Sequence, residues 1–311
     1  MTKINLETEI GGIKLENPLV LASGILGNTA ELLVRVAKAE AGAVTTKSIG
    51  PYKNEGHKGP NIVEVNCGYI NAMGLPNPGV EIFKKEIKRY KEMCSTPLIA
   101  SVFGTTEEDF AHVASELYKA GADLIELNVS CPHSKEGILN IGLNPKATEK
   151  VIKRVKENIS APLLLKVPGN TNIESLKEVI VASINAGIDG FTAINTLPAM
   201  AIDIETQRPI LGFGIGGLSG PAIKPVAVRI VYEIRKITDL PIIGVGGVLT
   251  YKDAIEFLLA GANAVGIGTA LTKDKDLKIF KEILQGLQSY MEKKSIKSIK
   301  DIAGLILKRI Q

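Results

Sequence analysis

The chain has 311 residues, 45% of them hydrophobic, with 37 Lys and Arg against 33 Asp and Glu for a net charge of +4. This is the balance of an ordinary soluble globular protein, too mildly basic to argue for a nucleic-acid partner, and 5% aromatics without tryptophan leave no base-stacking surface. Cys67, Cys94 and Cys131 lack metal-type spacing, MTKINLETEI lacks a signal-peptide apolar core, and no run of about 18 apolar residues exists, so we expect no metal site, no disulfide framework, no membrane span and a reducing, cytoplasmic location.

Taken in order, apolar runs of strand length recur at 18–24, 41–48, 97–104, 122–130, 161–169, 190–196, 241–247 and 264–270. Helical patterns separate them. Thr105 with Glu108 has capping-box spacing before Phe110, Val113, Ala114 and Leu117 on one face, and Thr250 with Asp253 repeats it before Ile255, Leu258 and Leu259. Lysine-rich stretches such as KKEIKRYKE and KVIKRVKE read as solvated helix faces. The segment from 276 onward reads as one long helix and then a short one.

Strand entries alternate in kind. Pro18, Pro97, Pro162 and Pro241 precede the odd strands, and Ala-Gly pairs ending in Gly42, Gly121, Gly187 and Gly261 precede the even ones. Proline at a strand's first residue gives up no ladder bond of consequence, and glycine suits the left-handed residue that ends a helix. Eight βα units in four matching pairs predict a closed (β/α)8 TIM barrel. Insertions at 50–79, 134–145 and 198–220 follow strand C-termini, where barrel enzymes build loops over the site.

In a barrel the strand ends converge on one face. Here they carry Ser23 with Gly24, Thr46 with Lys47 and Ser48, Ser101, Asn128 with Cys131, Lys166, Asn195 with Thr196, Gly246 with Gly247, and Gly268 with Thr269. The stretch ADLIELNVSCPH turns from apolar to polar within a few residues and delivers a thiol. Read blandly, that thiol is a small buried hydrophobe. A lysine inside an apolar strand, as in LLLKV, must aim at something anionic. The glycines ending the last two strands suit a phosphate. The loop GYINAMGLPNPG holds Asn71 and Asn77, whose amides suit a flat polar ring, although the same residues make ordinary turns.

The motifs TTKS, NAMGLPNPG, ELNVSCP, AINT, RPILGFGIGGLSGPAIKP, GVGGV and AGANAVGIGTA resemble, in order and across essentially the whole chain, the dihydroorotate dehydrogenases of pyrimidine (UMP) biosynthesis. The 208–225 segment is most similar to the B-type, whose catalytic subunit partners with an FAD and iron–sulfur electron-transfer subunit. The resemblance implies one FMN-binding barrel domain over 1–311 that oxidises dihydroorotate to orotate and passes the electrons to an NAD-linked partner or another acceptor. It implies a homodimer or a heterotetramer with that partner.

By the same resemblance, Cys131 is the base that takes the C5 proton. Lys47, Asn71, Ala72, Met73, Gly74, Leu75, Asn128, His133, Asn195 and Thr196 hold the substrate. Ser23, Lys47, Ser48, Ser101, Asn128, Lys166, Ile194, Gly220, Gly246, Gly247, Gly268 and Thr269 hold FMN, and 134–145 is the expected lid. The chain departs from relatives at His133 and Ser101, where asparagine is usual, and matches poorly over 50–68. SCPH instead resembles the pyrimidine-reducing domain of dihydropyrimidine dehydrogenases. Cys rather than Ser at the base position, and an early first strand, argue against the membrane-anchored type. Two other readings stay open: a flavin enzyme acting on uracil or thymine, and a phosphate-ligand barrel without redox chemistry.

Overall fold

The computed structural model describes residues 4–129 and 141–310. A Gly-Gly turn opens the chain: β1 (Thr8–Ile10) and β2 (Ile13–Leu15) pair antiparallel across Gly11 and Gly12, whose φ of 56° and 83° make the tight turn. Then come β3 (Leu19–Leu21), α1 (Ala30–Lys38), β4 (Ala43–Thr45), β5 (Ile62–Val65), β6 (Gly68–Asn71) and α2 (Val80–Met93). They are followed by β7 (Leu98–Val102), α3 (Glu107–Lys119), β8 (Leu124–Asn128), α4 (Pro145–Lys156), β9 (Leu163–Val167), α5 (Ile173–Asn185) and β10 (Gly190–Ala193). The insertion after β10 forms β11 (Leu197–Ala199), β12 (Ile202–Asp203), β13 (Arg208–Pro209) and β14 (Gly216–Ser219). The chain continues through α6 (Lys224–Arg235), β15 (Ile242–Val245), α7 (Tyr251–Ala260), β16 (Ala264–Ile267), α8 (Lys278–Lys294) and α9 (Leu305–Ile310).

The eight expected strands close into a parallel barrel in the order β3-β4-β7-β8-β9-β10-β15-β16, with β16 returning to β3. This is the (β/α)8 barrel. The strand-leading prolines fit because a strand's entry needs only its acceptor. Pro18, Pro97, Pro162 and Pro241 each accept a bond from a neighbouring strand's N–H, at 2.7, 3.0, 3.0 and 2.9 Å. The glycine rule holds at three of its four positions. Gly121, Gly187 and Gly261 have φ of 113°, 88° and 123°, whereas before β4 it is Glu40 that turns left-handed, at 73°. Gly42 is there for space, since a Cβ would lie 2.1 Å from the Asn17 carbonyl oxygen.

Between strands and helices lies the larger core, with Phe83, Phe110, Phe191, Phe257 and Phe280 fully buried. Each such side chain contributes about 1.5–3 kcal/mol. A second, smaller core fills the barrel's lower interior. The β1–β2 hairpin plugs that end, setting Ile10 and Leu15 against Val20, Ala43, Ile99, Leu124, Leu164, Ile243 and Ala264. Capping at α7 follows the sequence, with the Asp253 carboxylate accepting from the Thr250 N–H at 2.8 Å. At α3 the box sits one residue later than expected: Thr106 caps and Asp109 answers, because Asp109 also collects the Thr105 N–H and hydroxyl at 2.9 and 2.7 Å.

The insertions at 50–79 and 198–220 look like turn-rich connectors in sequence but are not mere loops. Strands β5 and β6 form a hairpin, β6 pairs with β14, and β14 pairs with β11, giving a four-stranded antiparallel sheet over the barrel. Their polar, glycine-rich composition hides this, because the strands are short and half-exposed.

Candidate functional site at the barrel mouth

Parallel pairing sets which side chains enter the barrel. Asn128 on β8 pairs with Lys166 on β9, and Lys166 with Thr192 on β10, so the three share one level of the interior wall. Glu126, two residues before Asn128, points the same way one level below, and pairs with Ser101 on β7. Burial is severe: Glu126 is 2% exposed, Lys166 and Asn128 7%, and Ser101 is sealed.

These groups satisfy one another in a chain. The Asn195 amide donates to Asn128 Oδ1 at 3.3 Å, Asn128 Nδ2 donates to Ser48 Oγ at 2.9 Å, and Ser48 Oγ lies 2.9 Å from Ser101 Oγ. Ser101 donates to Glu126 Oε1 at 2.9 Å, and Lys166 Nζ stands 3.8 Å from that same oxygen. The anion that a lysine in an apolar strand demands is thus in part supplied by the protein itself. Glu126 carried no role in the sequence reading, although the rule applied to Lys166 would have found it.

Lys47 is different. It is half-buried, burial alone pushes its ammonium below the ordinary lysine range, and among the described residues no carboxylate lies within ion-pair distance. A desolvated cation without a counter-charge is a site for an anion. Thr192 adds a sealed hydroxyl without a partner among the described residues. Ser23, on the far side of β4 from these groups, donates to the Thr46 carbonyl at 2.8 Å.

The insertion sheet brings further expected residues together. Asn71 Nδ2 donates to the Gly217 carbonyl at 3.2 Å, and a Cβ on Gly217 would lie 2.1 Å from Thr196 Oγ1. Asn71, Thr196 and Asn195 therefore stand around one place. Ala72 is buried in the small core of the sheet, and Met73, Gly74 and Leu75 continue from it, half-exposed. Asn77, in contrast, is spent inside its own loop: its carbonyl oxygen accepts from Gly50 and Gly79 at 3.2 and 2.9 Å and its amide donates to Leu75 O at 3.0 Å. Ser101, sealed and doubly engaged, reaches the mouth only through Ser48.

The glycine-rich turns also converge. A Cβ on Gly247 would meet the Gly220 carbonyl at 2.6 Å, and one on Gly220 would come within 3.5 Å of the Thr269 methyl. Gly246 has φ of 140° and is flanked by Ala227 and Ile223, and Gly268 stands open above Ala22. Ile194 is buried, its N–H bonded to Val245 O at 2.9 Å, which fixes the turn after β10. Bare backbone at three neighbouring turns can approach a phosphate closely. Cys131, His133 and the 134–140 part of the expected lid lie outside the described residues. Its remainder forms a 3₁₀ turn at Ile141–Leu143 and the start of α4, capped by Asn144. Among the described residues no cluster of His, Cys, Asp and Glu could hold a metal, and no helix is long and apolar enough to cross a membrane.

Known proteins share this chain's sequence over nearly its whole length. A family profile described as "Dihydroorotate dehydrogenase" matches residues 5–291, every barrel strand included. A Pyrococcus furiosus protein named "Dihydroorotate dehydrogenase B (NAD(+)), catalytic subunit" is 47% identical over 305 residues, covering 98% of this chain and 100% of the relative. Proteins of the same name from Methanothermobacter thermautotrophicus and Methanocaldococcus jannaschii are 46% and 43% identical, covering 96% and 98% of this chain and 98% and 99% of the relatives. With the match running through both the barrel and the sheet over its mouth, the chain belongs to the dihydroorotate dehydrogenase family.

Proposed function

We propose that this chain, as one FMN-binding domain, oxidises dihydroorotate to orotate in pyrimidine biosynthesis and delivers the electrons through a partner subunit to NAD+. The observation that carries the reading is Lys47: a half-buried ammonium without a counter-charge among the described residues, next in sequence to Ser48, where a hydrogen-bonded chain through Asn128 runs to Asn195. Dihydroorotate is a six-membered ring edged by carbonyls and N–H groups, with one carboxylate, and this set of donors, acceptors and charge complements it.

FMN fits the same mouth. The turns holding Gly220, Gly246, Gly247, Gly268 and Thr269 suit its phosphate, and the Thr192 hydroxyl, unpaired among the described residues, and the Lys166 ammonium suit the polar edge of its ring. Bound there, FMN supplies the acceptor for the hydride leaving C6 of the substrate. The chain's own residues do the rest. Lys47 binds the anionic end. Asn71, Asn128, Asn195 and Thr196 fix the ring so that C5 and C6 present the right faces. Cys131 removes the C5 proton, which a thiol with a reference pKa of about 8.5 can do with modest help from its surroundings. Lys166 favours the extra negative charge that the reduced flavin ring acquires. The printed name "catalytic subunit" of the relatives supports a partner subunit, and to that partner we assign the FAD and the iron–sulfur cluster.

Anaerobic addition of dihydroorotate should bleach the visible flavin band of the purified protein, while dihydrouracil should not. A colourless protein without extractable flavin, or bleaching by dihydrouracil alone, overturns the reading. Cys131→Ala should lower turnover by about 100-fold or more with flavin retained. Near-normal turnover would remove Cys131 from the mechanism. Purification from the native cell should bring down a second subunit carrying FAD and iron.

A further inference from the structure

We propose that Glu126, sealed beneath the mouth, is the positioning residue of this site: it holds Lys166 in place and fixes the direction of every hydrogen bond from Ser101 to Asn195. The proposal rests on the flavin reading above.

The argument starts from cost. A carboxylate at 2% exposure in a strand whose other inward neighbours are Leu124 below and Asn128 above is expensive unless paired. It receives one hydroxyl hydrogen bond of 2.9 Å, and an ammonium at 3.8 Å, too far for a direct hydrogen bond. Lys166 is therefore held by charge while its hydrogens stay available to whatever lies above. Replacing both members of the pair by apolar residues would often be neutral or stabilising, whereas losing Glu126 alone would leave Lys166 buried and uncompensated. Net stability therefore does not account for the pair.

Direction does. A carboxylate only accepts, so the single hydrogen of the Ser101 hydroxyl is committed to Glu126. Ser101 must then accept from Ser48 across their 2.9 Å contact. Ser48, having given its hydrogen, accepts from Asn128 Nδ2, which leaves Asn128 Oδ1 to accept from the Asn195 amide. The Asn195 oxygen in turn accepts the Thr196 N–H at 2.8 Å. The acceptor-only Glu126 at one end and the donor-only Thr196 N–H at the other thus set together which way the amides of Asn128 and Asn195 face, and a reversed amide would offer an oxygen where the substrate needs a donor. The Glu126 charge partly offsets that of Lys166, which would tune a flavin held at this mouth.

The test uses the FMN-loaded full chain with two variants. Glu126→Gln keeps the shape but removes the charge and the enforced direction. Its flavin midpoint potential should shift positive, because Lys166 is no longer offset, and its orotate affinity, read from the flavin spectrum, should weaken about five- to tenfold. Ser101→Ala keeps the charge and cuts the chain, so orotate should weaken similarly while the potential stays at the wild-type value. A lowered melting temperature in Glu126→Gln with potential and orotate affinity unmoved makes Glu126 structural only and overturns the proposal. Where Glu126→Gln yields no folded protein, Ser101→Ala decides: unchanged orotate affinity overturns the proposal, and weakened affinity at unchanged potential supports it. A wild-type protein without flavin refutes the functional reading instead.

Discussion

The two ends of the barrel interior are built from the same strands and obey opposite rules. On β7, Ile99 belongs to the apolar floor and Ser101 to the polar mouth; on β8, Leu124 gives way to Glu126 and Asn128; on β9, Leu164 gives way to Lys166. One inward step along a strand, about 6.6 Å, separates a dry core from a row of charges and amides. Below, every side chain is interchangeable oil held by shape. Above, every group has a named partner or awaits one. The barrel therefore keeps its stability and its chemistry in adjacent layers, and a change in one layer should leave the other alone.

That separation can be broken at either layer. Leu164→Ala opens a cavity in the floor and should lower stability by about 2–5 kcal/mol; thermal melting measures it, and flavin and orotate affinities should stay within about twofold if the layers are independent. Lys47→Met should do the reverse. Loss of a charge-assisted contact should weaken orotate binding by about 1.5–3 kcal/mol, while removal of an ammonium that burial disfavours should raise the ligand-free melting temperature by about 2 °C.

The same residue gives a pH signature. Burial lowers the folded-state pKa of Lys47 from 10.5, so as pH rises into that window the folded protein releases a proton that the unfolded chain keeps. Ligand-free stability of wild type relative to Lys47→Met should therefore rise with pH there, while affinity for the anionic ligand falls. A flat difference across that range would deny Lys47 its role. The smallest effect lies outside both layers. Burial pushes the Asp253 carboxyl up, but Lys224 at 2.6 Å and the bonds from Leu249 and Thr250 outweigh it and hold it below the ordinary aspartate value of 3.8. Its stabilisation is present above that value and is lost as pH falls through the folded one. Asp253→Ala should cost about 1 kcal/mol at neutral pH, without touching ligand affinity.

The barrel itself could be read before the structure, because eight apolar runs with alternating Pro and Gly entries leave few other ways to bury them. Lys47, Asn128, Lys166 and Asn195 could be placed at its mouth for the same reason: strand ends converge. What escaped notice was of two kinds. The hairpin plug was written plainly as EIGGIKL, a Gly-Gly turn between alternating residues, and went unread beside longer signals. The sheet over the mouth left no such mark, since the short β5–β6 and β11–β14 pairs become one sheet only where β6 finds β14 across about 150 residues of sequence, as in the contact of Ser219 with Tyr69. Glu126 was visible as the one charge in LIELN, but its meaning depends on Ser101 and Lys166, which only register supplies. Asn77 shows the converse: a residue type suited to a ligand, consumed by its own turn.

In the ring of eight strands, β4 and β10 stand diametrically opposed, and the insertions that follow them are the ones that join through β6 and β14. A span tied from rim to opposite rim divides one opening into two doorways. The strand carrying Asn128 flanks one, and the glycine turns after β15 and β16 flank the other. A molecule long enough to use both must thread beneath the span, tail in one doorway and head toward the other. A shorter visitor can come and go through a single doorway while the long one stays.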